Sequence, residues 1–214
     1  MGFKVSAGSG GGDFTPVPEG THVGRCIRFV DLGTQVDEWQ GKRKTLRKIV
    51  LSWEIPSQRT EDDRPMTISK RYTASLGEKA TLRADLEAWR GRAFSDAELA
   101  GFEMRNILGK PCMLSVTHKT NDGKTRAQVK AILAMPPGVT CAEAENELIF
   151  FSMEEGFDAD LFEALPDWQK EVISASPEYK EARGSRAPVA NGGYDDDDDI
   201  PFENPYKRAR AFVV

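Results

Sequence analysis

Apolar and polar residues alternate through residues 21–32 (THVGRCIRFVDL), with Val23, Ile27 and Phe29 on the same parity as Arg25. That period predicts a strand with one half-buried face. Residues 33–41 are polar with glycine at each end and read as a loop. Residues 46–55 (LRKIVLSWEI) carry the strongest strand pattern. Ile49, Leu51, Trp53 and Ile55 fall on one face, and Lys48, Ser52 and Glu54 on the other. A polar turn over 57–65 leads to a third strand at 66–73, where Met66, Ile68, Lys70 and Tyr72 alternate with Thr67, Ser69, Arg71 and Thr73.

The period then lengthens. Ser75 and Glu78 have the spacing of a capping box. Leu82, Leu86 and Trp89 follow at helical intervals, and Gly91 is placed to end the helix. A second box, Ser95 to Glu98, sits between Phe94 and Leu99, which are spaced as a hydrophobic staple. Its short helix ends near Gly101 or Gly109. Strands resume at 112–118 and 126–133, joined by the hairpin sequence Asn121-Asp122-Gly123-Lys124.

Three strands, a helical insert and two more strands is the order of an OB-fold. The expected fold is therefore mainly β with an α insert: a five-stranded Greek-key barrel with OB-like order. Four segments follow: a flexible Gly-rich stretch at 1–13, the OB-like domain at 14–135, a helical or irregular extension at 136–183, and a linker with an acidic tail at 184–214. Short helices are expected at 158–164 and 166–174, with a further turn starting at Ser176-Pro177-Glu178.

Charge sharpens this division. The 214 residues carry a net charge of −5. Residues 1–135 hold 22 Lys and Arg against 16 Asp and Glu, whereas residues 136–214 hold 7 against 18. A basic front and an acidic back suit a polyanion binder with an acidic tail. No apolar run approaches the length of a membrane span, and residues 1–20 lack the apolar stretch of a secretory signal. Cys26, Cys112 and Cys141 are widely spaced and read as free thiols in a reducing, cytoplasmic compartment.

Enzymatic chemistry finds little footing. The chain contains no GxxxxGK[ST], GxSxG or HExxH sequence, and no CxxC or HxxxH spacing for a metal. The carboxylate groups at Glu61-Asp62-Asp63 and Glu154-Glu155 have no apolar neighbours to raise their pKa values. Cys112 and His118 share a strand but stand about 20 Å apart. No catalytic residue, metal or cofactor is expected.

A basic and aromatic constellation is the stronger signal. Trp39, Lys42, Arg43 and Lys44 fall at the expected tip between the first two strands, Arg47 and Lys48 continue it, and Lys70, Arg71 and Tyr72 lie on the third strand. Strands two and three and their loops form the usual nucleic-acid face of an OB-fold. Cations there neutralise phosphates, and rings stack on bases without reading sequence. Trp53 has core parity. Tyr72 is equally compatible with core and stacking, and Trp39 has no apolar partner and reads as an exposed ring.

The tail joins a Gly-containing linker to Asp195, Asp196, Asp197, Asp198 and Asp199, then Ile200, Pro201 and Phe202. Adjacent carboxylates repel and imitate a nucleic-acid backbone. The stretch from Asp197 to Phe202 resembles the acidic tip of bacterial single-stranded-DNA-binding proteins, and the layout of domain, extension and tail resembles a phage single-stranded-DNA-binding protein. That resemblance implies sequence-independent binding of single-stranded DNA during phage replication or recombination, in the host cytoplasm. It also implies a tail that recruits replication or recombination proteins, or competes for the protein's own groove. In the bacterial family the Phe is terminal, whereas here Glu203 to Val214 follow it. A protein-interaction adaptor that binds no nucleic acid, and an RNA-binding OB protein, are the competing readings. The reading is compatible with a homo-oligomer.

Overall fold

In a computed structural model of the chain, residues 15–39, 41–121 and 123–184 are described. Strands β1 (Gly20–Trp39), β2 (Lys42–Arg59) and β3 (Pro65–Thr73) form an antiparallel meander. Helices α1 (Thr81–Arg90) and α2 (Asp96–Ala100) and a 3-10 turn over Met104–Ile107 lead to the hairpin of β4 (Pro111–Asn121) and β5 (Lys124–Leu133). Strand β6 (Ile149–Phe151) and helices α3 (Ala159–Glu163), α4 (Asp167–Ser174) and α5 (Pro177–Gly184) follow. The fold is mainly β. The sheet order is β3-β2-β1-β4-β5 with every neighbour antiparallel, and β6 adds to β1 in parallel.

β1 is the shared strand. Its first residues, Gly20 to Arg25, pair with β4, and from Arg25 onward it pairs with β2. Past Arg25 the β4 side of β1 would be an open edge. β6 fills part of it, pairing with Arg28, Phe29 and Val30. Cα atoms of β3 and β5, at the two ends of the strand order, come within 8 Å of each other.

The alternation of β2 is realised as expected. Ile49, Leu51, Trp53 and Ile55 enter one core with Leu82, Leu86 and Trp89 of α1 and with Leu114, Val116, Val129 and Ile132 of the hairpin. β1 departs from its alternation. A bulge between Cys26 and Arg28 shifts the parity. Cys26 and Phe29 therefore share the core, and Ile27 is buried outside it. The polar segment 33–41, expected as a loop, is strand up to Trp39. It pairs with β2 from Thr34 opposite Arg47 to Trp39 opposite Lys42, so ladder hydrogen bonds outweigh its polar composition. Both hairpins close through a glycine with φ near +72°, Gly41 and Gly123, a conformation open to glycine at no steric cost.

The capping box at Ser75 does not form. The Ser75 hydroxyl instead accepts the Gly77 N–H two residues on (3.1 Å), and α1 starts only at Thr81, without a side-chain cap. A short side chain that bonds its own turn is lost to the helix. The box at Ser95 and Glu98 is complete, and Phe94 and Leu99 both pack on the main core.

The second, outer face of β1 and β2 is also covered. Val30, Leu32 and Val50 pack with Phe151, Phe162, Leu165 and Ile173. Ser52 and Glu54, on the polar parity of β2, are consequently buried. Glu54 accepts the backbone N–H groups of Glu145 (3.0 Å) and Asn146 (2.9 Å) and the Asn146 amide (2.6 Å). Gly33 adopts φ +71°, and a Cβ there would sit 2.6 Å from the Ser176 side chain, so glycine lets the α4–α5 junction close on β1.

Two stability effects follow. Glu54→Ala leaves three part-buried donors without an acceptor and is expected to lower unfolding free energy by about 1–3 kcal/mol in urea titrations. Glu98 is held down to about 2 from 4.5, first by the Arg92 guanidinium, then by the Ser95 N–H and Arg90. A depressed carboxylate stabilises the fold above its unfolded pKa, and that contribution disappears as pH falls from about 4.5 toward 2. Thermal melts of Glu98→Gln across that window are expected to show a shallower loss than the parent.

Candidate nucleic-acid interface

The fold divides the expected binding residues into two groups. Beyond the main sheet, β1 and β2 continue as a two-stranded ribbon on which Val36, Asp37, Glu38, Arg43, Lys44 and Thr45 are exposed. Arg43 pairs loosely with Glu38 at 3.3 Å, and Lys44 forms no ion pair among the described residues. Arg71 is also exposed, on the outer face of β3 opposite Val50. Trp39 and Lys42 flank the ribbon's turn and face each other in register, while their side chains lie outside the described residues.

The other expected contacts are engaged inside the fold. Arg47 donates two hydrogen bonds to Asp31 (3.1 and 2.5 Å) and one to Glu154. The Asp31 carboxylate, itself 2% exposed, raises the Arg47 pKa. Lys48 contacts Asp37 at 2.5 Å and the Thr73 hydroxyl at 3.0 Å. Lys70 pairs with Asp85 at 2.6 Å and lies over the Tyr72 ring, 5.3 Å from its centroid. Tyr72 packs in the main core and donates its hydroxyl to Asp85 at 2.8 Å. Burial, followed by the Asp85 charge, pushes the phenol pKa well up. Tyr72 thus resolves to the core alternative and presents no open ring face. Arg47, Lys48 and Lys70 thus each hold a carboxylate of this chain. Asp195, Asp196, Asp197, Asp198, Asp199, Ile200, Pro201 and Phe202 lie outside the described residues.

The expected face itself is also changed. The outer face of β2, together with that of β1, is partly covered by the chain that follows Cys141. Arg25 fastens this roof, donating to the carbonyls of Ala142 (2.8 Å) and Cys141 (3.1 Å) as well as Gly109 (2.7 Å).

A cationic surface that the sequence reading passed over lies on the β4–β5 hairpin. Lys119, Lys124, Arg126 and Lys130 are all exposed. Among the described residues none of them has a carboxylate within ion-pair distance. Lys119 stands directly opposite Arg126 in the antiparallel ladder. Like charges in that position destabilise a sheet. Ala127 and Val129 take the inner parity of β5, which turns Lys124, Arg126 and Gln128 outward. The signal was present in the composition of residues 119–130, where four cations meet the single acid Asp122.

Cys112 is fully buried, and His118 bonds the Val17 carbonyl at 2.7 Å. Burial pushes the Cys26 thiol up to about 12 and raises Cys112 as well, so both thiols stay protonated. The described residues contain no cluster of His, Cys, Asp and Glu suited to a metal, and no described helix is long and apolar enough to cross a membrane. Comparison with protein-family models yields no match to this chain, and comparison with curated proteins yields none.

The Lys70–Asp85–Tyr72 cluster has a structural consequence. Tyr72→Phe removes one hydrogen bond to a charged acceptor, with an expected loss of about 1.5–3 kcal/mol in chemical denaturation. No change in exposed charge accompanies it.

Proposed function

We propose that this protein binds single-stranded DNA without sequence preference, through an OB-type barrel, in phage replication or recombination. The observation that carries the reading is the outward cationic row of the β4–β5 hairpin. Cross-strand Lys119 and Arg126 repel each other, and a polyanion laid across them removes that cost. The fold supports the same reading. The order β3-β2-β1-β4-β5, with β1 shared between two partners and β3 near β5, is the strand order of an OB barrel. In such barrels the β1–β2 and β4–β5 loops flank the ligand. Here those two hairpins carry Arg43 and Lys44 on one side and Lys119, Lys124 and Arg126 on the other.

The acidic tail fits as a competitor and a recruiting segment. Its five consecutive Asp present a charge density like that of the phosphate chain. Its Ile-Pro-Phe segment offers apolar anchors to a partner protein.

Fluorescence anisotropy with labelled oligo-dT across a salt series tests the reading. Four hairpin cations give an expected log–log salt slope of about −3. Lys119→Glu is expected to flatten the slope and weaken binding. Its melting temperature should rise slightly, because an opposite-charge pair replaces a repulsive one. Removing residues 195–214 is expected to tighten binding. Absence of any binding at low salt would overturn the proposal in favour of an adaptor, and preference for oligo-U over oligo-dT would reassign the ligand to RNA.

A further inference from the structure

The β4–β5 hairpin presents an outer face that neither core covers. Cys112, Leu114 and Val116 of β4 and Val129 and Ile132 of β5 pack in the main core. The alternate positions therefore turn outward. On that side Met113 stands directly opposite Leu133, Ser115 opposite Ala131, Thr117 opposite Gln128 and Lys119 opposite Arg126. Val23 of β1 flanks Met113 on its other edge. Val23, Met113 and Leu133 thus form one apolar row across three strands. Neither hydrophobic cluster includes any of them, and Leu133 is 46% exposed. The outer face of β1 and β2, by contrast, lies under the second core.

Two features of the bare face decide what it suits. Neither β4 nor β5 contains an acidic residue, so nothing on these strands repels a polyanion. The face is also graded along its length. Its cations stand toward the hairpin tip, and the apolar row lies six residues back along β4, about 20 Å away. Single-stranded nucleic acid has the same two parts, charged phosphates and flat uncharged rings. Met113 adds a polarisable thioether, which makes favourable contact with aromatic rings.

We infer that the bound strand runs down this face, with phosphates on Lys119 and Arg126 and a base resting on the row Val23–Met113–Leu133. The inference rests on the single-strand reading above and specifies which residues meet a base. The three side chains offer apolar contact and no hydrogen bond, so the row takes any base.

The Met113 methyl group reports the contact directly. In the full chain with isotopically labelled methionine methyls, oligo-dT is expected to shift the Met113 NMR signal through the ring current of the base. An abasic deoxyribose-phosphate oligomer of equal length is expected to leave it in place. Met66 and Met104, which pack on the main core, are expected to stay unmoved with both. In anisotropy titrations at low salt the parent is expected to hold oligo-dT about fivefold more tightly than the abasic oligomer, the worth of burying roughly 40 Å² of apolar surface. Met113→Gln and Leu133→Gln are expected to erase that preference. Oligo-dT binding without a Met113 shift overturns the inference and leaves the electrostatic reading standing, as does equal affinity of the parent for both oligomers. A Met113 shift that follows protein concentration without DNA gives the row to a second copy and also overturns it. Failure to bind either oligomer overturns the inference together with the reading beneath it.

Discussion

The Asp31 carboxylate is the point on which the arrangement turns. It lies 2% exposed in the middle of β1 and is stable there only because its oxygens are fully engaged. Two Arg47 N–H groups, the Gly33 N–H (2.9 Å) and the Met153 N–H (3.3 Å) point at it. Removing one partner from such a buried pair costs roughly 3–5 kcal/mol. A single side chain thus closes a second β1 register shift, between Asp31 and Gly33, holds β2 through Arg47 and fastens the segment after β6. Glu54, at the other end of the same ladder, does the like for residues 145–146. Glu178 reaches Thr34 from α5, accepting its N–H at 2.9 Å. Carboxylates from both sides stitch the extension to the sheet, so residues 141–184 share the sheet's second core.

This stitching explains why so many basic residues are engaged by the chain's own acceptors. Arg25, Arg47, Arg59 and Arg105 each bind groups in the segment 141–155. Arg105 also covers the Phe150 ring, 4.1 Å from its centroid. A guanidinium offers five donors in a fixed fork, which suits it to clamp backbone carbonyls and carboxylates at once. The basic front of the chain is therefore spent in part on its own acidic back. Among the described residues, cations without an ion pair include Lys44 on the first hairpin and Lys119, Lys124, Arg126 and Lys130 on the second, with Arg71, Lys79, Lys110 and Lys180 elsewhere.

The two hairpins differ in one respect. The β1–β2 ribbon intersperses acids with its cations, as in the pair Glu38–Arg43. The β4–β5 hairpin has a single acid in its sequence, Asp122, and its cross-strand cations Lys119 and Arg126 stand opposite each other. Self-repulsion of that kind is a stability cost that disappears with an anionic ligand, and it separates a binding surface from a merely solvated one.

Period and turn chemistry in the chain were enough to determine the chain order of the first five strands, the hairpin turn at Gly123, the buried stripe of α1, the Ser95–Glu98 cap and the core parity of β2. Each rests on contacts within a few residues or on one repeated period. The bulge that puts Cys26 with Phe29, the extension of β1 through 33–39 and the pairing of β6 were settled only by the folded chain, because register and edge pairing join residues far apart in sequence. The same holds for the fate of each cation. Lys70 and Arg71 are neighbours with equal charge, yet one meets Asp85 and the other meets water. Formal charge is a property of the residue, whereas its availability depends on which carboxylate the tertiary structure brings within 4 Å.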